Sequence, residues 1–329
     1  LGDKTYVKII KCTDSLAIRD GGALYIEGAD NAVINDIIFN ESNVAGYTNN
    51  GKVSGDGGGI FIKDSNGVNV TNSSFYTGFV RGNGGSIAIV NSNDTLLYNL
   101  SFDGDTAGTD GGSISAVNSD NLIIEKNTFN YVGSVYNAGT IYLDNVNGTI
   151  RDTEFNDTKS AWGYGGAVYL NGNVNIINAT FNYFEAYKNN GSAILFKGGN
   201  STLVNSTLDG ENPIFISKDA EVHLTNNTVT GSSAGVYTVF NEGTLYLERN
   251  DFDNIILNGG IIKTATYTYV LDNTTWNATV NENYTLKARI VDDTFNNTIV
   301  SVNSFYFTIN ETESIHAPYN GSKNNTAIF

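Results

Sequence analysis

Apolar residues recur along the central part of this chain with a spacing of about 27 residues. Pairs of small residues begin at positions 57, 84, 111, 138, 165 and 191, and apolar residues follow at the third and fifth positions after each start. In one unit these residues are Gly57, Ile60 and Ile62. Self-similarity at a fixed period of this length is typical of a solenoid built from stacked repeats.

A second pair of apolar residues recurs later in each unit, always with a gap of five. Nine such pairs follow one another: Ile34/Phe39, Val70/Phe75, Leu97/Phe102, Ile124/Phe129, Ile150/Phe155, Ile176/Phe181, Leu203/Leu208, Leu224/Val229 and Leu247/Phe252. Short alternating segments indicate strands with one buried face. A single unit cannot bury that face alone, so its copies must stack. We therefore predict an all-β, right-handed parallel β-helix of about nine to ten coils.

Two other repeat architectures fit less well. The leucine-rich horseshoe needs an LxxLxLxxN pattern, which the sequence lacks. A β-propeller needs longer repeats with four strands in each blade.

The repeats divide the chain into three predicted regions. Residues 1–20 form a cap or initial strand, or else a fragment of a preceding repeat, and residues 21–263 form the β-helix. The first unit is about nine residues longer than the others, and its extra residues fall in ESNVAGYTNNGKVSGD, a loop by composition that is a candidate for function. Residues 264–329 have longer alternating strands without glycine pairs, which predicts a small Ig-like or capping β domain.

The balance of charge excludes some classes of partner. The chain has 34 acidic and 18 basic residues, for a net charge of −16. Such a chain repels nucleic acid and anionic lipid. No apolar run has the length of a membrane span, so we expect this segment not to be membrane-embedded. The single cysteine, Cys12, rules out an internal disulfide framework.

Two columns of Asp and Asn accompany the repeats. One lies directly before the glycine pairs: Asp20, Asp56, Asn83, Asp110 and Asn137, with Tyr164 at the next position. These residues could supply oxygen ligands to Ca²⁺. The favoured interpretation is that they hydrogen-bond turn backbone, so we predict neither a metal nor a cofactor. The other column lies three residues before the Phe position, where stacked amides can bond from coil to coil.

Aromatic residues are the candidate binding residues. The position between the two inward residues of the first strand should face solvent, and it holds Tyr25, Phe61, Tyr142 and Tyr169. Trp162 and Tyr164 belong to a second aromatic set in the third turn. Exposed rings can stack on sugars or dock a protein. The alternative is that the rings pack on one another across strands.

Catalysis is the less favoured reading of the carboxylates. A glycoside hydrolase needs two carboxylates at a defined separation. Two sets of neighbours are candidates, Asp103, Asp105 and Asp110 with Glu125, and Asp152 with Glu154, but such neighbours arise by chance in so acidic a chain. His223 and His316 are isolated, and the arginines do not share a column. We therefore predict a protein without catalytic residues.

Asn-x-Ser/Thr sequons are frequent and would place the chain outside the cell. The candidates for glycosylation are Asn40, Asn69, Asn147, Asn156, Asn277, Asn283 and Asn310.

Several motifs resemble known surface proteins. Gly21-Gly22-Ala23-Leu24, Gly84-Gly85-Ser86-Ile87 and Gly165-Gly166-Ala167-Val168 are similar to the GGA/S-I repeats of polymorphic outer-membrane adhesins. The segment NENYTLKARIVDDTFNNTIVSVNSFYFTIN resembles archaeal and bacterial Ig-like repeats. Together with the Asn-rich bias, and with Phe-Asn in place of Phe-x-x-Asn, these motifs most resemble adhesin-like surface proteins of methanogenic archaea. The resemblance implies display on the cell surface and adhesion, and it carries over no catalytic residue.

Three functions follow as hypotheses. The first is a non-enzymatic adhesin or display module on the cell surface that binds a glycan or a protein of another cell. The second is a structural subunit of a surface sheath or filament, with like subunits as partners. The third is a polysaccharide lyase or glycoside hydrolase on a β-helix.

Overall fold

The structure confirms an all-β chain wound as a parallel solenoid. It is a computed structural model that describes residues 6–7, 11–49, 52–160, 162–187, 191–231, 237–252 and 255–264, together with five strand segments between 269 and 315. Within these ranges every regular element is a β-strand. The described residues contain no helix of the length and hydrophobicity that a membrane crossing requires.

The register of the strands proves that equivalent positions lie above one another. Ile87 pairs with Ile60 on one side and with Ile114 on the other, and Ile114 pairs with Ile141. The second apolar column likewise runs without interruption from Ile34 to Leu247 in eight steps. The solenoid therefore has about eight turns, and the apolar pairs with the five-residue gap stack as predicted.

Each turn begins with strands that form one continuous parallel sheet. In the early turns two short strands share this sheet, and from Ile114 onward they merge into one long strand. The short strands are Leu24–Glu27, Val33–Asn35, Ile60–Lys63, Asn69–Thr71, Ile87–Val90 and Leu96–Tyr98. The long strands are Ile114–Glu125, Ile141–Arg151, Val168–Ile177, Ile194–Val204 and Ile214–Thr225. Tyr237–Asn241, Thr244–Glu248, Ile255–Asn258 and Ile261–Thr264 are separate again.

The later strands of each turn form a second parallel sheet. Those that carry the Phe position are Lys11–Thr13, Ile38–Asn40, Ser74–Tyr76, Ser101–Asp103, Thr128–Asn130, Glu154–Ser160, Thr180–Ala186, Thr207–Asp209, Thr228–Thr230 and Asp251–Phe252. Short strands follow in the early turns: Leu16–Ala17, Asn43–Val44, Phe79–Val80, Thr106–Ala107 and Gly133–Ser134.

Strands at both ends continue or join these sheets. Tyr6–Val7, Lys11–Thr13 and Leu16–Ala17 pair in parallel with the first full turn, so they continue its ladders.

The long first loop contains an antiparallel hairpin, Tyr47–Asn49 with Lys52–Ser54.

Beyond residue 264 the described strands are Tyr269–Val270, Leu286–Asp292, Phe295–Val302, Phe307–Ile309 and Glu313–Ile315. Phe295–Val302 pairs in parallel with the end of the solenoid and antiparallel with Leu286–Asp292. The rest of the predicted Ig-like region lies outside the described residues.

Stacked phenylalanines form the centre of the core. Six rings lie face to face in one column, with neighbouring centroids 4.5–5.2 Å apart and planes within 11° of parallel. The column consists of Phe39, Phe75, Phe102, Phe129, Phe155 and Phe181, all at most 1% exposed. Leu208 continues it, as the sequence indicated.

The glycine pairs allow neighbouring turns to approach one another. A Cβ atom added at Gly139, the second member of its pair, would lie 1.9 Å from the carbonyl oxygen of Gly166. The first member has a left-handed backbone, with φ of +67° at Gly111 and 53° at Ala138. Position 139 therefore requires glycine for close approach, although Ser192 occupies the second position where the shorter turn follows, whereas the first position requires only a left-handed turn.

Polar ladders hold the turns together on the outside. In the column before the Phe position, Asn99 Nδ2 donates to Asn72 Oδ1 at 2.8 Å, and Asn178 Nδ2 donates to Asp152 Oδ1 at 3.1 Å. These four residues have φ between 49° and 54°, a conformation that Asn and Asp tolerate better than most residues. The structural interpretation of this column is confirmed.

A second column of stacked Asn side chains allows the hydrogen bonds between turns to be tested separately from the left-handed backbone conformation. Asn118 has φ of 52°, donates to Asn91 Oδ1 at 3.3 Å and accepts from Asn145 Nδ2 at 2.9 Å. We expect Asn118→Ala to lower the free energy of unfolding by about 1 kcal/mol more than Asn118→Gly, because alanine adds left-handed strain to the same loss of hydrogen bonds. Denaturant titration of both variants measures the difference. Equal effects would mean that the side-chain bonds alone matter.

Candidate binding surface

The six predicted aromatic residues take part in four ring contacts on the solenoid. Tyr25 stacks on Phe61 in the early turns, with centroids 5.3 Å apart, and Tyr142 stacks on Tyr169 in the middle turns, at 4.7 Å. Trp162 contacts Tyr187 at 5.2 Å. Tyr164 lies 5.7 Å from Phe215. The stacked pairs correspond to the alternative in which rings pack across strands.

The expectation that the first-strand rings face open solvent is wrong for Phe61, which is only 5% exposed. Tyr25 is 43% exposed, while Tyr142 and Tyr169 are partly covered. The Tyr25 ring covers one side of Phe61, and at Tyr142 the glycine turn lies against the outward side of the strand. A Cβ atom added at Gly111 would lie 3.1 Å from Tyr142 Cβ. Alternation thus predicts the direction of a side chain but not what packs on it.

A ladder of Asp and Asn side chains holds these covering turns in place. Asp56 accepts a hydrogen bond from the backbone N–H of Asn83 at 2.6 Å, and Asp110 accepts one from Asn137 at 2.7 Å. The ladder runs from Asp20 to Asn137, which accepts from the N–H of Tyr164 at 3.2 Å. These bonds are the structural role that the sequence favoured for this column. Within the described ranges, no group of three or more His, Cys, Asp and Glu side chains is placed to hold a metal ion.

A cleft opens where this ladder reaches Tyr164. Ile194 pairs with Ile214, only 20 residues further on, whereas Ile141 pairs with Val168 after 27. This shorter turn has Glu211-Asn212 in place of a glycine pair, so less chain is available to cover the outward side. The cleft has a volume of about 400 Å³ and is lined by Asn137, Tyr164, Tyr169, Leu195, Lys197, Phe215, Ser217, Lys218 and Glu242. The aromatic cleft, as we call it, therefore contains two of the six predicted residues.

The walls of the aromatic cleft are aromatic rings flanked by charge. Tyr164 and Phe215 are tilted by 50°, and Phe240 lies beyond Phe215 with centroids 5.1 Å apart. Burial, with a smaller contribution from Asp144 and then Asp110, raises the pKa of Tyr169 to about 12. This hydroxyl therefore stays protonated at neutral pH and can donate a hydrogen bond.

The sequence analysis did not single out Phe215, Lys197 or Lys218. Phe215 was detectable, since Ile214-Phe215-Ile216 continues the first-strand pattern and pairs with Ile194-Leu195-Phe196. The two lysines follow those strands by one and two residues. The shorter spacing of the units after Leu208 is visible in the sequence, but the convergence of the two lysines depends on how the turns of unequal length stack.

A second aromatic surface lies on the flank of the middle turns. Tyr136, Trp162 and Tyr187 are 53%, 58% and 63% exposed. Tyr136 and Trp162 occupy equivalent places in successive turns, and the Trp162 ring contacts Tyr187 in the turn after that. Tyr131 and Tyr183 are 69% and 75% exposed on the outward side of the strands nearby. We call these five residues the flank patch. It includes Trp162, but not the other predicted residues.

Most of the carboxylates considered for catalysis are hydrogen-bonded within or between turns. Glu125 accepts from Arg151 Nη2 at 2.6 Å, and Asp152 accepts from Asn178. Asp110 belongs to the turn ladder. Asp105 is fully buried between turns, where it accepts hydrogen bonds from Ser86, Ser113 and the backbone of Gly78.

The structure describes four of the seven glycosylation candidates. Asn40, Asn69 and Asn156 are partly covered and Asn147 is exposed. The amide groups of Asn147 and Asn156 both take part in coil-to-coil hydrogen bonds. Asn277, Asn283 and Asn310 lie outside the described residues.

The fold and these surfaces together define a parallel β-solenoid that displays aromatic side chains on its outside. No protein-family model and no curated protein matches the chain. Among solved structures, the chain is similar to the crystal structure of PfbA, a surface adhesin of Streptococcus pneumoniae. The match covers 82% of this chain and 76% of that chain, with 10% identity and a TM-score of 0.31. A likeness at this level carries no argument about ligand or partner.

Proposed function

We propose that this chain is a non-enzymatic adhesin or display module on the outside of a cell. Its solenoid is the rigid part, since every turn is bonded to its neighbours by continuous parallel ladders. The flank patch is the recognition surface, and it binds a glycan or a protein on a partner cell.

The observation that carries this proposal is the exposure of the flank patch. Single exposed aromatic residues are normal on a protein surface, but a group of them marks an interaction site. Five rings, each more than half exposed, lie within three turns of a solenoid whose core already contains its own phenylalanine column. The fold does not need these rings for packing, so their benefit lies in contacts with another molecule.

The arrangement of the carboxylates favours binding over catalysis. Two carboxylates of a hydrolase must both reach a substrate. Glu125 and Asp152 are instead bonded to neighbouring turns, and Asp105 is enclosed by Ser86 and Ser113. Their positions are explained by stability, which leaves the aromatic surfaces as the better candidates for function.

Removal of rings from the flank patch tests the proposal. We expect the chain to bind selected glycans on an array, or intact cells, and we expect the triple variant Trp162→Ser, Tyr183→Ser, Tyr187→Ser to bind at least tenfold more weakly, because exposed aromatics supply most of the contact energy at such surfaces. The matched control is Tyr76→Ser with Phe79→Ser, which removes exposed rings from an earlier turn.

Three results would contradict the proposal. One is equal loss of binding in the patch variant and in the control. Another is assembly of the chain into polymers at physiological salt, measured by size-exclusion chromatography, which would favour the sheath or filament subunit. The third is turnover of a polysaccharide that is lost in Glu154→Gln, which would favour the lyase or hydrolase.

A further inference from the structure

The aromatic cleft contains cations that the rest of the chain does not neutralise. Elsewhere, Lys63 pairs with Glu27 at 2.5 Å, Lys159 lies 3.4 Å from Asp157, and the Lys126 ammonium lies 5.2 Å from the centre of the Tyr98 ring. Among the described residues, Lys197 and Lys218 of the cleft form no ion pair. In a chain with a net charge of −16, two free lysines in one cleft form a local site for an anion.

The rings of the cleft determine what kind of anion fits. Tyr164 and Phe215 are tilted by 50° with centroids 5.7 Å apart, so they do not form a parallel slot for a planar base. Tilted aromatic faces suit a puckered ring with C–H bonds on its surface. The polar groups of Asn137, Ser217 and Glu242 also line the cleft and can bond to hydroxyl groups.

The volume of the cleft sets the size of the ligand. A cavity of about 400 Å³ lies at the small end of ligand sites. It can hold one or two sugar units rather than a protein segment. Among the lining residues, two lysines stand against the one carboxylate of Glu242, while Asp144 and Asp110 act on Tyr169, so an anion would be attracted by Lys197 and Lys218 alone.

From this geometry we infer that the aromatic cleft binds a sugar carboxylate, as found in uronic or sialic acids, with the ring on Tyr164 and Phe215 and the carboxylate at Lys197 and Lys218. The lysines act as point charges, and the hydroxyl of Tyr169 donates a hydrogen bond. The site shares no residue with the flank patch, so this inference does not depend on the proposed adhesion.

Calorimetric titration with defined sugars tests the inference. The probes are trigalacturonate, sialyllactose and their neutral counterparts, methyl-esterified trigalacturonate and lactose. We expect saturable binding of at least one acidic sugar, at least tenfold weaker binding of its neutral counterpart, and weaker binding at higher salt. The first two probes distinguish uronic from sialic acids.

Charge-matched variants locate the site. Lys197→Gln with Lys218→Gln should weaken binding of the acidic sugar about tenfold or more, because charge-assisted hydrogen bonds are lost. The control, Lys126→Gln with Lys159→Gln, makes the same change in net charge and should leave binding unchanged. Tyr164→Phe keeps the stacking surface and should bind the acidic sugar more tightly than Tyr164→Ala. Unchanged thermal unfolding would show that each variant is folded.

The inference is overturned by any of four results. The first two are no binding of either acidic sugar, and equal binding of the acidic and neutral sugars. The third is an equal loss of acidic-sugar binding in the Lys197/Lys218 variant and in the Lys126/Lys159 control. The fourth is tighter binding of a nucleotide or inorganic phosphate than of the acidic sugars. Cell binding by the flank patch can survive each of them, so the two proposals fail separately.

Discussion

Phe129→Ala is expected to lower the free energy of unfolding by about 3–5 kcal/mol, the usual range when a buried phenylalanine is truncated. Phe129 lies in the middle of the phenylalanine column, fully buried, with ring centroids 4.6 Å from Phe102 and 5.2 Å from Phe155. Alanine leaves a cavity and removes the stacking contacts with both neighbours. The backbone ladders on each side limit how far the turns can collapse into that space.

Two companion variants make this prediction specific. Tyr131→Ala removes a ring from the same turn, but that ring is 69% exposed. The free energy of unfolding should therefore change by less than about 1 kcal/mol. Phe129→Leu should lower the free energy of unfolding by an intermediate amount, since leucine occupies the column naturally at Leu208. Guanidinium titration followed by circular dichroism measures all three. Similar losses for Phe129→Ala and Tyr131→Ala would mean that the column contributes little beyond the backbone ladders.

Asp105→Asn is expected to stabilise the protein at pH 8 and to flatten its dependence on pH. Asp105 is fully buried and accepts from Ser86 Oγ at 2.6 Å, Ser113 Oγ at 2.9 Å and the Gly78 N–H at 3.0 Å. Burial raises the pKa of Asp105 from 3.8 to about 7, although these three hydrogen bonds lower it. The carboxylate is therefore harder to ionise in the folded chain than in the unfolded one.

The sign of the pH effect follows from proton binding. Between pH 4 and 7 the folded state keeps the proton of Asp105 while the unfolded state has lost it, so stability falls as pH rises. The full loss in the free energy of unfolding is roughly 4 kcal/mol, and it is reached above about pH 7. Below pH 4 both states hold the proton, and the penalty is absent.

Unfolding of wild type and Asp105→Asn should be compared at pH 5, 6, 7 and 8. The asparagine cannot ionise, so the free energy of unfolding of the variant should increase relative to that of the wild type as pH rises. Asp219→Asn, which changes an exposed carboxylate that does not act on Asp105, controls for net charge. A variant that is less stable than wild type at every pH would mean that the hydrogen bonds of the carboxylate outweigh its burial.

The fold was predictable because its information is periodic. Ile87, Ile114 and Ile141 lie in register, and each Phe follows its aliphatic partner after five residues, because the same strand and turn lengths recur in each unit. The roles of the polar columns were predictable for the same reason. An Asn such as Asn99 meets its own copy in the neighbouring turn, so its partner can be read from the repeat.

The candidate sites were predictable only in part. Alternation assigned Tyr142 and Tyr169 to the outward side and the repeat placed them in adjacent turns, where they stack. It also assigned Phe61 to that side, but Phe61 is buried there, with the Tyr25 ring on one side. Contacts between a strand and a turn folded over it join residues that no fixed spacing relates.

The sequence by itself determined the architecture: the spacing of small and apolar residues dictates which side chains stack, since each turn can bury its apolar face only against a copy of itself. The tertiary structure alone decided where the surface opens. Tyr169, Lys197 and Phe215 line one cleft because a 20-residue turn follows longer ones, and the covering chain is too short there to close over the strands.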